Sequence, residues 1–195
     1  MEDFGLVEMD FLPKELMQSP VRGRNLIGPT FEQNLPVKQT LLVFLRHFGC
    51  IFCRECVSDL RDLSDSIPAF PPILFVYPEE ERMGEEFFQR HWPEASAIAD
   101  RQAAFYGLAG LEDGNFLELA GPEVWGAALR AVAKGNFYGV QGQHLLQMPG
   151  AFLVLKDRIL WEHKYRHIGD HPDWTKLPGC SPISSENLDP GILPA

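Results

Sequence analysis

Cys50, Cys53 and Cys56 stand three residues apart, and the fourth cysteine, Cys180, lies far downstream. The run Cys50-Ile51-Phe52-Cys53 is a Cys-x-x-Cys pair. Two thiols one helical turn apart can cycle between dithiol and disulfide. One thiolate attacks, and the second resolves the mixed disulfide or sulfenic acid that results. The same residue types can instead bind metal. Cys-x-x-Cys-x-x-Cys, with Cys180 as a fourth thiolate or His47 as a nitrogen donor, has spacing suited to zinc or an iron–sulfur cluster. The flanking pattern separates the two. Phe52, Cys53, Cys56, Val57, Leu60, Leu63 and Ile67 recur every three or four residues, so an amphipathic helix runs straight through the motif. A loop wrapped around a metal would break that period.

Cys50 opens this helix, whose free N–H groups and positive dipole end favour a thiolate. Cys50 is therefore the expected nucleophile, nearest the helix end and solvent, and Cys53 the resolving partner. Arg46, His47 and Arg54 are candidate thiolate-assisting cations. Alternation along a strand prevents Arg46 and His47 from both facing the site. Cys56 shares the apolar stripe of Val57 and Leu60 and is expected to be a buried, inert thiol. Cys180 is a candidate distant resolving thiol.

The elements that position the motif follow from the surrounding patterns. Thr40 to Arg46 is a continuous β-prone run of the kind buried on both faces. The motif helix spans about 50–66, with Arg54, Glu55, Asp59, Arg61, Asp62 and Asp65 on its polar face and Pro68 as its stop. A strand at Pro72 to Tyr77 comes next. A helix from Glu79 to His91 has glutamates in a solvated first turn, and a short strand covers Ala95 to Ala99. A short helix at Arg101 to Ala109 completes a β-α-β-α-β-α order, which indicates an α/β fold with a largely parallel centre. The rhythm breaks at 111–147. That stretch carries a helix at Pro122 to Lys134, with Trp125, Leu129 and Val132 on its apolar face, and a loop containing Gly135, Gly139 and Gly142. Gly150 to Leu155 and Ile159 to His163 read as a β-hairpin. Three units are expected: an irregular arm at 1–35 with a short strand near Ile27 to Phe31, a domain at 36–177, and an irregular tail at 178–195 rich in Pro, Ser and Gly.

Composition excludes several function classes. The chain has 195 residues and a net charge of −10, against the basic stripe that nucleic acid or an anionic membrane requires. No run approaches the ~20 apolar residues of a membrane span. The acidic start Met1-Glu2-Asp3-Phe4 lacks the features of a secretory signal, so a cytoplasmic location is expected. A close cysteine pair in that reducing compartment is catalytic or metal-binding rather than structural. His163, His167, Asp170, His171 and Asp173 are most simply turn caps, and Trp92, Trp125 and Trp161 packing residues.

The run Leu45-Arg46-His47-Phe48-Gly49-Cys50-Ile51-Phe52-Cys53-Arg54-Glu55 resembles the peroxiredoxin-like branch of the AhpC/TSA family, a branch related to selenoproteins. The likeness continues through Ala104-Phe105-Tyr106-Gly107-Leu108, through Gln147-Met148-Pro149-Gly150-Ala151-Phe152, and through Tyr165 to Pro172. It implies a thioredoxin-like fold: a central mixed β-sheet flanked by helices, with a helical insertion before a hairpin that opens on a cis-proline. Pro149, with Met148 before it, would be that proline and would orient substrate opposite the cysteines. The resemblance also implies thiol-dependent antioxidant activity on a peroxide or protein disulfide, with an unidentified thiol reductant, no cofactor or metal, and room for a homodimer. Peroxiredoxins commonly read Pro-x-x-x-Thr-x-x-Cys. Counting back from Cys53 places Arg46 and Cys50 at the Pro and Thr positions, and counting from Cys50 places Val43 and His47 there. The alternatives are a thioredoxin-fold binding module without turnover and a metal or iron–sulfur protein.

Overall fold

A computed structural model describes residues 11–136 and 144–178. Six strands form one mixed sheet: β1 (Gly23–Arg24), β2 (Thr40–Phe44), β3 (Ile73–Tyr77), β4 (Ser96–Ala99), β5 (Gly150–Leu155) and β6 (Arg158–Lys164), ordered β1-β4-β3-β2-β5-β6. β2, β3 and β4 are parallel, and β1 and β5 add antiparallel to either side of them. β6 closes a hairpin with β5 across Lys156 and Asp157.

Strand side chains alternate between two apolar layers, as a pleat buried on both faces demands. Leu41, Val43, Phe75, Tyr77, Ala97, Ala151 and Leu153 face one layer. There they meet helices α2 (Ile51–Ser66), α3 (Glu81–His91) and α6 (Pro122–Ala133). Leu42, Phe44, Leu74, Val76, Ile98, Phe152 and Val154 face the other. That layer holds α1 (Lys14–Gln18) and α4 (Ala104–Leu108). A short α5 (Phe116–Ala120) precedes α6. Two glycines permit close approaches. A Cβ at Gly23 (φ +152°) would stand 2.0 Å from the Ala97 carbonyl oxygen, and one at Gly84 would stand 2.0 Å from the Tyr77 hydroxyl.

Several expectations need correction. β2 ends at Phe44 rather than Arg46, because the chain turns there toward the cysteines. The short strand of the first 35 residues falls at Gly23–Arg24, not Ile27 to Phe31. Leu12, Leu16, Met17, Val21, Phe31 and Leu35 are buried in the second layer. On α6 the buried face is Val124, Ala127 and Ala131, while Trp125, Leu129 and Val132 are exposed. Small residues let α6 approach α2 closely, where a tryptophan would not fit. The Met148–Pro149 bond is trans, since no cis peptide occurs among the described residues. A trans proline enters a strand without needing an N–H partner, and that is its place immediately before β5. Gly139, Gly142, Cys180 and the tail beyond 178 lie outside the described residues.

Candidate active site

The chain leaves β2 at its C-terminal end and turns through residues 45–49, and Cys50 then caps α2. Cys50 has extended backbone (φ −74°, ψ 125°), and its N–H donates to the His47 carbonyl at 3.0 Å, closing the turn. The Arg54 N–H reaches the Cys50 carbonyl at 3.2 Å as the first helical hydrogen bond. Antiparallel pairing sets Gly150 opposite Phe44 and Lys164 opposite Gly150. Pro149 and Tyr165 therefore come to the same end of the sheet as the cysteines. Pro149 and Tyr165 line a small void with Cys53, Cys56, Leu45 and His171.

The two thiols are set apart electrostatically. The Cys53 thiol donates to Cys50, and this outweighs burial to hold Cys50 down at about 6, with further help from the Cys53 N–H, Arg46 and the Phe52 N–H. Burial and the same hydrogen bond push Cys53 the other way, well above the usual thiol value. Near neutral pH the pair is thus a Cys50 thiolate beside a Cys53 thiol. The Arg46 N–H also reaches the Cys53 sulfur at 3.2 Å. Cys50 is not the more solvent-exposed thiol, because both sulfurs lie beneath the surface. Burial and the acids Asp59 and Glu55 raise the Cys56 thiol far above neutrality, as befits an inert core thiol.

The three basic neighbours divide their work. Arg46 favours the Cys50 thiolate by charge, and its guanidinium also holds the Leu145 carbonyl. His47 is lowered to about 4 by burial and by Arg46, so it is neutral and adds no positive charge. Arg54 donates to the Phe48 carbonyl at 2.9 Å and braces the turn.

Two buried acids escape a sequence reading. Glu55 belongs by sequence to the polar face of α2 but is fully buried. Arg130 Nε meets it at 2.8 Å and Lys134 Nζ at 3.1 Å, tying α6 to the cysteine helix. Two basic residues four apart, Arg130 on α6 and Lys134 capping its end, were the available signal. Glu79 opens what in sequence is a solvated helix start, yet it too is buried. It accepts from the Phe48 N–H at 2.9 Å. Its position just past β3, at the functional end of a parallel strand, was the signal for it. Burial raises it to about 7, opposed by the Phe48 bond and reinforced by Cys50.

Among the described residues, one group could converge on a metal: Glu55, Asp59 and His171. Arg130 and Lys134 already neutralise its carboxylates, so it has no charge left to offer a cation. The cysteines form no such group among these residues. In the His/Asp-rich stretch, His163 bonds the Asp170 carbonyl at 2.7 Å and Arg166 binds the Asp170 carboxylate at 2.9 Å. These two contacts lie within the turn, as expected, but His171 is no turn cap: its Nδ1 faces the Glu55 carboxylate of α2 at 3.7 Å.

Residues 59–167 match the AhpC/TSA antioxidant enzyme family. The chain belongs to the AhpC/TSA family. The matched region starts beyond Cys56, so membership rests on the scaffold rather than on the cysteines. Among relatives, prostamide/prostaglandin F synthase of Xenopus tropicalis is 32% identical over 61% of each chain. The Bos taurus protein of the same name is 29% identical over 83% of each chain. Peroxiredoxin-like 2A of Xenopus tropicalis is 30% identical over 70% of this chain and 60% of its own length. Peroxiredoxin Q of Xanthomonas campestris superposes with a TM-score of 0.53 at 13% identity, covering 82% of this chain and 90% of its own. That likeness establishes the peroxiredoxin form of the thioredoxin-like fold for this AhpC/TSA member. No helix among the described residues is long and apolar enough to cross a membrane.

Proposed function

We propose that this AhpC/TSA protein is a thiol-dependent oxidoreductase that cycles Cys50 and Cys53 between dithiol and disulfide. The observation that carries this reading is the placement of the pair: Cys50 caps α2 and Cys53 lies one turn below it. The Cys53 thiol favours the Cys50 thiolate, and burial and that same contact keep Cys53 a thiol. The Cys50 thiolate attacks the distal oxygen of a peroxide, the O–O bond breaks, and a proton on the departing oxygen gives alcohol and Cys50 sulfenic acid. Cys53 then displaces water to form the disulfide, and an external dithiol restores both thiols. A disulfide substrate would be reduced by the same two sulfurs through a mixed disulfide.

A cavity of about 490 Å3 adjoins Pro149 and Tyr165, with Leu111, Met148 and Phe152 also in its wall. Its size suits an organic molecule far larger than hydrogen peroxide. This favours an organic peroxide over hydrogen peroxide as substrate. Steady-state turnover of an alkyl hydroperoxide, and separately of a small disulfide, with a dithiol reductant tests the proposal. Wild-type activity should exceed that of a Cys50→Ser, Cys53→Ser double variant with at least one substrate. Equal rates with both would point instead to a binding module without turnover.

A further inference from the structure

We infer that Glu79 is the proton store of the redox centre, holding a proton while Cys50 is a thiolate and releasing it to the substrate's leaving group when Cys50 is oxidised. This rests on the thiol cycle proposed above. The geometry is that of a carboxyl built into the cysteine turn. Glu79 is 4% exposed. Oε1 accepts from the Phe48 N–H at 2.9 Å, two residues before Cys50. Oε2 is buried and has no hydrogen-bond partner among the described residues. An ionised carboxylate in that position leaves a charge desolvated and half unmatched, which costs far more than a neutral carboxyl with one unpaired oxygen. The Phe48 ring is clamped by Phe87 (4.3 Å, stacked) and Tyr77 (4.9 Å), so the turn and the acid are held together.

The surroundings leave Cys50 and Glu79 as the pair that exchanges charge near neutrality. Tyr77 flanks Glu79 from β3 and Tyr106 from α4, and burial raises both phenols so that they stay protonated. Glu81 and Glu85 of α3 act on Tyr77, and Asp100 acts on Tyr106. His47 is neutral above about 4, Cys53 stays a thiol, and Arg46 keeps its charge beside Cys50. Burial lifts the Glu79 carboxyl to about 7, against the Phe48 hydrogen bond, and the Cys50 charge adds to that rise. When the thiolate is consumed, that repulsion vanishes and the proton becomes easier to lose.

The balanced step is Cys50 thiolate plus hydroperoxide plus Glu79 carboxylic acid, giving Cys50 sulfenic acid, alcohol and Glu79 carboxylate. The two electrons come from the sulfur, and the proton goes to the alkoxide oxygen. Cys53 then forms the disulfide and water leaves. An external dithiol later supplies two electrons and two protons, one proton to Cys53 and one to Glu79, which regenerates the Cys50 thiolate.

Glu79→Gln keeps an acceptor for the Phe48 N–H and removes the proton store, so it separates this role from a structural one. Two single-turnover reactions of the full chain are compared across pH 5 to 9. Alkylation by iodoacetamide expels iodide and needs no proton. Oxidation by an alkyl hydroperoxide does. The variant should alkylate at least as fast as wild type, with its midpoint unchanged or moved to lower pH. Its hydroperoxide rate should fall by about 10²-fold near pH 6, the low end of what a positioned proton donor contributes. The wild-type hydroperoxide rate should also decline above about 7, and the variant should lack that limb. Equal hydroperoxide profiles, or a parallel loss of both reactions, overturns the inference. Infrared difference spectra of wild type give a second reading that needs no variant. A protonated carboxyl band should disappear on oxidation, and its absence from the reduced protein at pH 6 also overturns the inference. If neither protein reacts with hydroperoxide while alkylation is normal, the peroxidase half of the proposed function fails and this inference with it, a result distinct from equal hydroperoxide rates.

Discussion

Replacing Cys53 with alanine removes the donor that most favours the Cys50 thiolate. A hydrogen bond to a charged group contributes about 1.5–3 kcal/mol. At about 1.4 kcal/mol per pKa unit, this corresponds to a rise of about 1–2 units. The Cys50 titration, near 6 in the wild type, should therefore move to roughly 7–8. Cys53→Ser keeps a hydroxyl donor at the same place and should stay within about half a unit of wild type. The assay is the pH dependence of Cys50 alkylation, or thiolate ultraviolet absorbance, in the reduced protein. The midpoint must be followed rather than one rate. A thiolate of higher pKa is intrinsically more nucleophilic, by about threefold per unit, and this offsets much of the loss in thiolate fraction. An alanine variant that titrates with the wild type refutes the reasoning and would assign the thiolate to the helix end and Arg46. A serine shift as large as the alanine shift would refute it equally.

Three further outcomes follow from the packing. His47 and His171 are held near 4 by burial, below the ordinary 6.5. Their neutral forms are fully accommodated above pH 6.5, and stability should fall as pH drops from 6.5 through 4. Denaturant midpoints should show that slope, and His171→Gln should reduce it. Arg130→Met leaves Glu55 buried with Lys134 as its remaining close cation. Removing one partner of a buried pair costs roughly 3–5 kcal/mol, and with Lys134 retained urea denaturation should show about half of that. Gly84→Ala drives a methyl into the Tyr77 hydroxyl and should cost about 1–3 kcal/mol. Tyr77→Phe should not rescue it, because the ring carbon Cζ is also 2.1 Å from the added Cβ.

The framework of this fold was legible wherever local pattern and burial agree. Thr40–Phe44, Ile51–Ser66 and Ile73–Tyr77 are runs whose periodicity follows directly from facing one or two apolar layers. The placement of Cys50 at a helix end was legible because the apolar period runs straight through the motif. What escaped was set by tertiary context. The α6 stripe of Trp125, Leu129 and Val132 has the helical period of a buried face, yet close approach to α2 selects the alanine side. Glu55 and Glu79 look like surface acids in sequence. Glu55 is retained in the interior by cations from α6, while Glu79 has a single N–H from the cysteine turn. The Met148–Pro149 bond follows from the local entry into β5 rather than from the resemblance.

The central claim is that Cys50 and Cys53 are one redox couple. Its most direct measurement is disulfide mapping by mass spectrometry after one equivalent of alkyl hydroperoxide, with free thiols trapped at low pH. The account predicts an intramolecular Cys50–Cys53 link with Cys56 still alkylatable on unfolding, and a sulfenic acid at Cys50 in Cys53→Ser. Two unlinked thiols of equal reactivity, or a link that joins Cys50 to another cysteine instead, would contradict it.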